Sequence, residues 1–134
     1  MKQRPRFVSR GGEKLANALE QVELELDGRD CIDLGASTGG FTDCLLQRGA
    51  AIVVAVDVGY GQLHERLRAD PRVEVRERTN VRDLTPGDLE RPADVLVADL
   101  SFISLRTVRP VVLPLGAAEA DVVLLVKPQF EAGR

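Results

Sequence analysis

The chain reads as an α/β domain: a doubly wound, Rossmann-like, mostly parallel sheet with strand order 3-2-1-4-5. Three observations predict it. Short apolar runs alternate with amphipathic segments along the 134 residues, which is the rhythm of βαβ units. A hinge of small residues, Asp33-Leu-Gly-Ala-Ser-Thr-Gly-Gly40, joins the first apolar run to a helical one. The apolar runs end in or near charged residues, Asp33, Asp57, Asp99 and Lys127. Right-handed crossovers, with a reversal after the third strand, align those residues along one rim.

The elements follow in order. Residues 1–10 hold Lys2, Arg4, Arg6 and Arg10 around Pro5 and read as an extended basic arm or linker, ahead of a domain covering 11–134. Gly11-Gly12 opens a helix whose apolar face is Leu15, Leu19, Val22 and Leu26. Lys14 falls in its first turn, where a cation opposes the helix dipole. Such a local misfit is either tolerated or functional. Strand one spans about 30–35, and the helix after the hinge runs to about 48, stopped by Gly49. Strand two covers 51–57. A loop and a short polar helix to Arg68 follow, carrying His64, the single histidine, expected at the surface. The run 73–78 alternates as a half-exposed edge strand should. Pro86 to Pro92 is turn-rich. Strand four is 94–99, followed by a helix from Ser101 to Leu115 kinked at Pro110. Strand five, 121–127, is uniformly apolar, which predicts a central strand buried on both faces.

Composition narrows the function. The formal net charge is −3, so the domain as a whole is no basic nucleic-acid binder, and any such contact must come from a local patch or another domain. Cys31 and Cys44 form no C-x-x-C and sit among no histidines, so no metal site is suggested. They read as buried, reduced thiols. The longest apolar run, Ala50 to Val56, is far short of the roughly 20 residues of a membrane span. The N-terminus lacks the apolar core of a signal peptide. A cytoplasmic, membrane-free protein is expected.

The hinge selects among ligands. In the G-x-G-x-x-G dinucleotide pattern, Gly35, Ser37 and Gly40 fill the three slots, so the middle glycine is missing. That glycine lets backbone approach a pyrophosphate, so an NAD-binding oxidoreductase is disfavoured. With Asp33 two residues earlier, the D-x-G-x-S-x-G is similar to the first motif of S-adenosylmethionine-dependent methyltransferases. That cofactor carries an ammonium, which an acid can meet. Asp57, at the end of strand two, is placed to accept from ribose hydroxyls, and Asn80, after strand three, to meet an adenine.

A charged cluster is expected on the same rim from Lys14, Asp99 and Lys127. A lysine brought toward neutrality by burial and a second cation can take a proton from a hydroxyl. The other reading of Asp99 and Lys127 is a surface ion pair. Other methyl acceptors lack their residues here. The run Asp99-Leu-Ser-Phe102 has no prolines of a base-amino motif, and neither cysteine follows a proline.

The phrases Phe7-Val-Ser-Arg-Gly-Gly-Glu-Lys14, Asp33 to Asp43, Ala55-Val-Asp-Val-Gly-Tyr-Gly-Gln62, Glu77-Arg-Thr-Asn80, Asp99-Leu-Ser-Phe-Ile-Ser104 and Leu125-Val-Lys-Pro-Gln-Phe-Glu-Ala-Gly133 span nearly the whole chain. With them the sequence resembles the haemolysin-A-type, FtsJ-like ribosomal RNA methyltransferases, the TlyA family. The resemblance implies 2′-O-ribose methylation of ribosomal RNA using S-adenosylmethionine, with the ribosomal subunit as partner. Lys14, Asp99 and Lys127 match the first three members of that family's Lys-Asp-Lys-Glu tetrad. The candidate cofactor contacts are Asp33, Gly35, Ser37, Gly39, Gly40, Asp57, Asn80 and Asp99.

Two departures from the family pattern are expected to matter. The small RNA-binding domain that usually precedes this region is absent, as are the C-terminal strands that carry the fourth tetrad residue; Glu131 does not match it. The chain therefore reads as a clipped catalytic domain that is inactive alone or pairs as a homodimer through the strand-five edge. A non-catalytic S-adenosylmethionine- or RNA-binding module is the alternative.

Overall fold

The computed structural model describes residues 6–126. Five strands form one sheet in the order β3-β2-β1-β4-β5: β1 Asp30–Leu34, β2 Ile52–Val56, β3 Val73–Arg76, β4 Ala93–Asp99 and β5 Gly116–Leu125. Every pairing is parallel. Helices α1 Arg10–Val22, α2 Gly40–Gln47, α3 Glu65–Arg68 and α4 Leu105–Leu115 make the crossovers and faces, with 3-10 turns at Val81–Asp83 and Pro86–Asp88. The expected order is the observed one.

Two cores flank the sheet. One face packs Leu15 and Leu19 of α1, and Cys44 and Leu45 of α2, on Cys31, Val53 and Val97. The other packs Val108, Val111 and Leu115 of α4 on Ile32, Val54 and Leu96. Leu15, Leu19, Leu45 and Leu96 are wholly buried, each contributing about 1.5–3 kcal/mol. Both cysteines are free and buried. Burial pushes the Cys31 thiol up to about 12 and the Cys44 thiol up to about 11, which leaves both as inert packing groups.

The structure corrects several expectations. Helix α1 ends at Val22 because Glu23 turns left-handed, φ 55°, and the Glu23 and Leu24 N–H groups donate to the Glu20 and Leu19 carbonyls. Leu26 is therefore buried from beyond the helix, and Val22, expected in its apolar face, is exposed. Helix α1 starts at Arg10, so Lys14 lies one residue past the first turn. Helix α4 starts at Leu105, capped by the Ser104 side chain, which accepts from the Thr107 N–H, and continues past Pro110 and Pro114. Strand β5 starts at Gly116, five residues earlier than expected, and is half-exposed rather than buried on both faces. It pairs only with β4 among the described residues; Val123 and Leu125 pack on the first core and Ala120 and Leu124 on the second, while Val122 stays 44 % exposed.

The basic arm is also different in its second half. Phe7 is buried in the first core, and a Cβ on Gly12 would stand 2.3 Å from its ring. Residues 7–9 are thus packed onto the domain and are not a free linker.

Candidate functional site

The site is built around the turn out of β1. Gly35 takes φ +87°, Ser37 φ +52° and Gly39 φ +109°. The Gly35 and Ala36 N–H groups both donate to the Val56 carbonyl at 2.8 Å, which ties the hinge to the end of β2. Ser37 shows how a non-glycine fills the middle slot. It accepts the left-handed conformation, at a cost of about 1–2 kcal/mol, and its N–H donates to Asp57 Oδ1 at 3.2 Å. Asp57 Oδ2 accepts the Gly59 N–H at 3.0 Å. One carboxylate therefore holds both the hinge and the loop after β2.

Close approach explains the glycine pair that follows. A Cβ on Gly39 would lie 2.3 Å from Leu67 Cδ1, and one on Gly40 would lie 2.1 Å from Ser9 Oγ and 2.8 Å from the Gly12 nitrogen. The start of α1 crosses the start of α2 with only hydrogens between them, and this crossing delivers Lys14 to the rim.

Two clefts result. The first, about 230 Å³, is lined by the hinge residues Gly35, Ala36, Ser37, Thr38 and Gly40, with Arg10, Lys14, Asp99 and Phe102 opposite. The second, about 320 Å³, is lined by Lys14, Asn17, Gln21, Asp99, Ser101 and Leu125. Lys14 and Asp99 belong to both walls, so the clefts meet at this pair. Asp99 is buried, and its Oδ1 accepts the Ser101 N–H at 2.9 Å. Lys14 is exposed. Of the expected cluster, the structure brings Lys14 and Asp99 together; Lys127 lies outside the described residues. A separate cleft of about 190 Å³ sits at the opposite ends of the strands, around Asp30, Ile52 and Ala93, away from every candidate residue.

Asp33 lies beneath the hinge, 1 % exposed, and lines neither rim cleft. Its Oδ2 accepts from the Thr42 hydroxyl at 2.8 Å, while Oδ1 is buried with no partner. Burial raises its pKa to about 7; the Thr42 hydrogen bond pulls the other way, and the nearby Asp57 and Asp99 charges add to the rise. Asn80 Oδ1 accepts the Arg82 N–H at 3.0 Å and caps the 3-10 turn. Its amide N–H groups stay available. His64 is exposed, with Nδ1 accepting the Arg66 N–H.

Sequence reasoning missed Asp43. Its buried carboxylate accepts the Val8 N–H at 2.9 Å, the Arg66 guanidinium at 3.0 Å and the Gln47 amide at 3.1 Å. It clamps the segment before α1 to α2 and α3. The available signals were Phe7 inside a basic stretch and the matched pairs Gly11-Gly12 and Gly39-Gly40.

A glycine hinge at the switch point of a parallel 3-2-1-4-5 sheet, with acids along the same rim, defines a doubly wound α/β protein whose candidate ligand crevice lies at that rim. Residues 7–134 match the family described as FtsJ-like methyltransferase, and the chain belongs to that family. It is 59% identical over 128 residues to the 16S/23S rRNA (cytidine-2′-O)-methyltransferase TlyA of Mycobacterium tuberculosis, covering 96% of this chain and 48% of that protein. A candidate hemolysin from Lactococcus lactis superposes with a TM-score of 0.88 at 45% identity, covering 98% of this chain and 64% of that one. An S-adenosylmethionine-dependent methyltransferase from Mesorhizobium loti, 20% identical with a TM-score of 0.59, covers 75% of this chain and 47% of that one and shares the fold. The chain spans about half the length of the curated relatives it matches. No described helix is long and apolar enough to cross a membrane.

Proposed function

We propose that this chain is the core of an S-adenosylmethionine-dependent methyltransferase acting on a ribose 2′-OH of ribosomal RNA, in the cytoplasm. The observation that carries the reading is the meeting of two clefts at Lys14 and Asp99. One cleft is walled by the hinge, as a cofactor site requires, and the other opens to solvent, as a polymer substrate requires. The similarity to a protein named as an rRNA (cytidine-2′-O)-methyltransferase supports the choice of acceptor.

The residues fit the cofactor. The cleft-lining carboxylate of Asp99 suits its ammonium, and Asp33 acts from beneath the hinge, holding Thr42 at the start of α2. Asp57 spends one lone pair per oxygen on loop N–H groups and keeps others for ribose hydroxyls. Asn80 retains its amide donors for an adenine, Gly35, Ser37 and Gly40 shape the wall, and Gly39 lets the turn pack on Leu63 and Leu67. When bound, the cofactor supplies a methyl group already activated by its sulfonium. The protein must then align the attacking oxygen and accept one proton. We assign alignment to Lys14 and Asp99, and proton removal to Lys127.

Calorimetry with S-adenosylmethionine, and transfer of tritiated methyl to ribosomal subunits by the protein at its full natural length, test this. Lys14→Ala should lower transfer by about 100-fold or more, with cofactor affinity within about twofold of the parent. Cofactor binding without transfer by the parent protein would instead make this a binding module. The free side of β5 is the place for a homodimer contact, which light scattering would reveal.

A further inference from the structure

The described arginines divide into two sets. Most are engaged by the protein's own carboxylates, as Arg29 is by Asp121, Arg72 by Asp70 and Arg91 by Asp30. Two on α4 are not. Arg106 and Arg109 are exposed and in no ion pair or side-chain hydrogen bond with another described residue. Helix α4 itself carries no acid. The 3-10 turn packed against it adds one charge of each sign, Arg82 and Asp83.

The place of these two arginines gives them a role. Their spacing, i to i+3, puts them on one helix face with Cβ atoms about 5–6 Å apart. They line an open groove of about 530 Å³ together with Leu105 and Pro110. The groove lies at the start of α4. Asp99 and Phe102 line the first rim cleft, and Leu105 begins α4 three residues later. A net-acidic protein that recruits a polyanion needs a local basic surface, and these two arginines, without a carboxylate partner among the described residues, supply one close in the chain to the reaction cleft.

We propose that the Arg106–Arg109 face of α4 is a landing surface for the ribosomal RNA strand flanking the target nucleotide, with both guanidinium groups on phosphates. This rests on the methyltransferase reading above. Phosphate contacts position the strand without reading its sequence, so they act on capture of RNA and not on the chemical step.

The test uses the protein at its full natural length and the double variant Arg106→Gln/Arg109→Gln, with Arg91→Gln as a control that removes an ion-paired arginine at the far rim. The double variant should raise KM for protein-free ribosomal RNA by about tenfold or more. It should leave kcat and S-adenosylmethionine affinity within about twofold. It should also reduce the salt dependence of RNA binding by about two phosphate contacts. Unchanged cofactor affinity shows that the variant is folded. An unchanged KM and salt slope would overturn the proposal, as would an equal loss in Arg91→Gln, which would mean a net-charge effect. Weakened binding to whole subunits but not to protein-free RNA would assign the face to a ribosomal protein and overturn it too. If the parent protein transfers no methyl group at all, the methyltransferase reading fails; loss of RNA affinity in the double variant would still be visible by direct binding.

Discussion

The hinge after β1 stands at the C-terminal rim of the sheet and strand β5 at its lateral edge, and they are held in opposite ways. In the hinge, backbone groups have assigned partners: Gly35 and Ala36 on the Val56 carbonyl, Ser37 on Asp57. Side-chain volume is excluded at Gly39 and Gly40 by neighbours within 2.3 Å of a would-be Cβ. The hinge also contains unfavourable features, the left-handed Ser37 and the half-satisfied Asp33 below it. Strand β5 has a single partner strand among the described residues and no fully buried side chain. Of the two regions, the hinge carries the strain, and the rest of the molecule over-determines it. A site that must hold a small ligand needs that rigidity; the wall facing a large polymer does not.

The largest effect expected from this contrast is a pH dependence at Asp33. Its pKa rises from 3.8 unfolded to about 7 folded, because burial disfavours the charge. The folded state therefore binds the proton more tightly. Stability from this group is full below about pH 4, falls as pH rises through the window up to about 7, and is flat above it. About three pKa units correspond to roughly 4 kcal/mol. Asp33→Asn removes the titration, so urea midpoints from pH 4 to pH 8 should show the parent losing roughly that much relative to the variant. Parallel pH profiles would show that Asp33 is not strained, and would weaken the contrast at its centre.

Gly39→Ala comes next. It combines a φ of +109° with overlap on Leu67 and Leu63 and should cost about 2–4 kcal/mol in chemical denaturation. Gly87→Ala, whose nearest atom beyond its neighbours would be 3.7 Å away, should be close to neutral. Asp57→Ala should weaken S-adenosylmethionine binding by about 1–3 kcal/mol in calorimetry, by freeing the Ser37 and Gly59 N–H groups and leaving ribose hydroxyls unpaired.

The same contrast explains what could be read in advance. The strand order was legible because each apolar run ends beside a turn signal, and parallel crossovers leave few topologies. The hinge was legible because its spacing is local. The half-exposure of β5 was not. Uniform apolarity reports what a strand can bury, and its five-residue extension to Gly116 runs through Ala117, Ala118 and Glu119, which carry no strand signal. The Val22 and Leu26 misreading has a similar cause: the 3.6-residue period continues past a helix that Glu23 stops. At the site, Lys14 and Asp99 were found from the motifs. The Asp43 clamp was not, because its partner Val8 is 35 residues away and contributes a backbone N–H, which no side-chain pattern reveals.

The smallest effect is expected at β5, and it is the sharpest comparison because the chemistry can be kept constant. Val97 on β4 is wholly buried, and Val122 on β5 is 44 % exposed; the two are near neighbours, since Val97 pairs with Val123 in the register of the two strands. Threonine has nearly the shape of valine and adds a hydroxyl. At position 97 that hydroxyl is removed from water among the Leu, Val, Phe and Cys side chains of the first core, so Val97→Thr should cost about 1–3 kcal/mol. At position 122 water remains within reach, and threonine suits a strand as well as valine does. Val122→Thr should then change stability by less than about 0.5 kcal/mol in this chain. Denaturant midpoints for the two variants decide it. A loss at 122 approaching that at 97 would mean that the outer face of β5 is covered in solution, and the homodimer contact proposed there would be the first thing to measure by light scattering on the same sample.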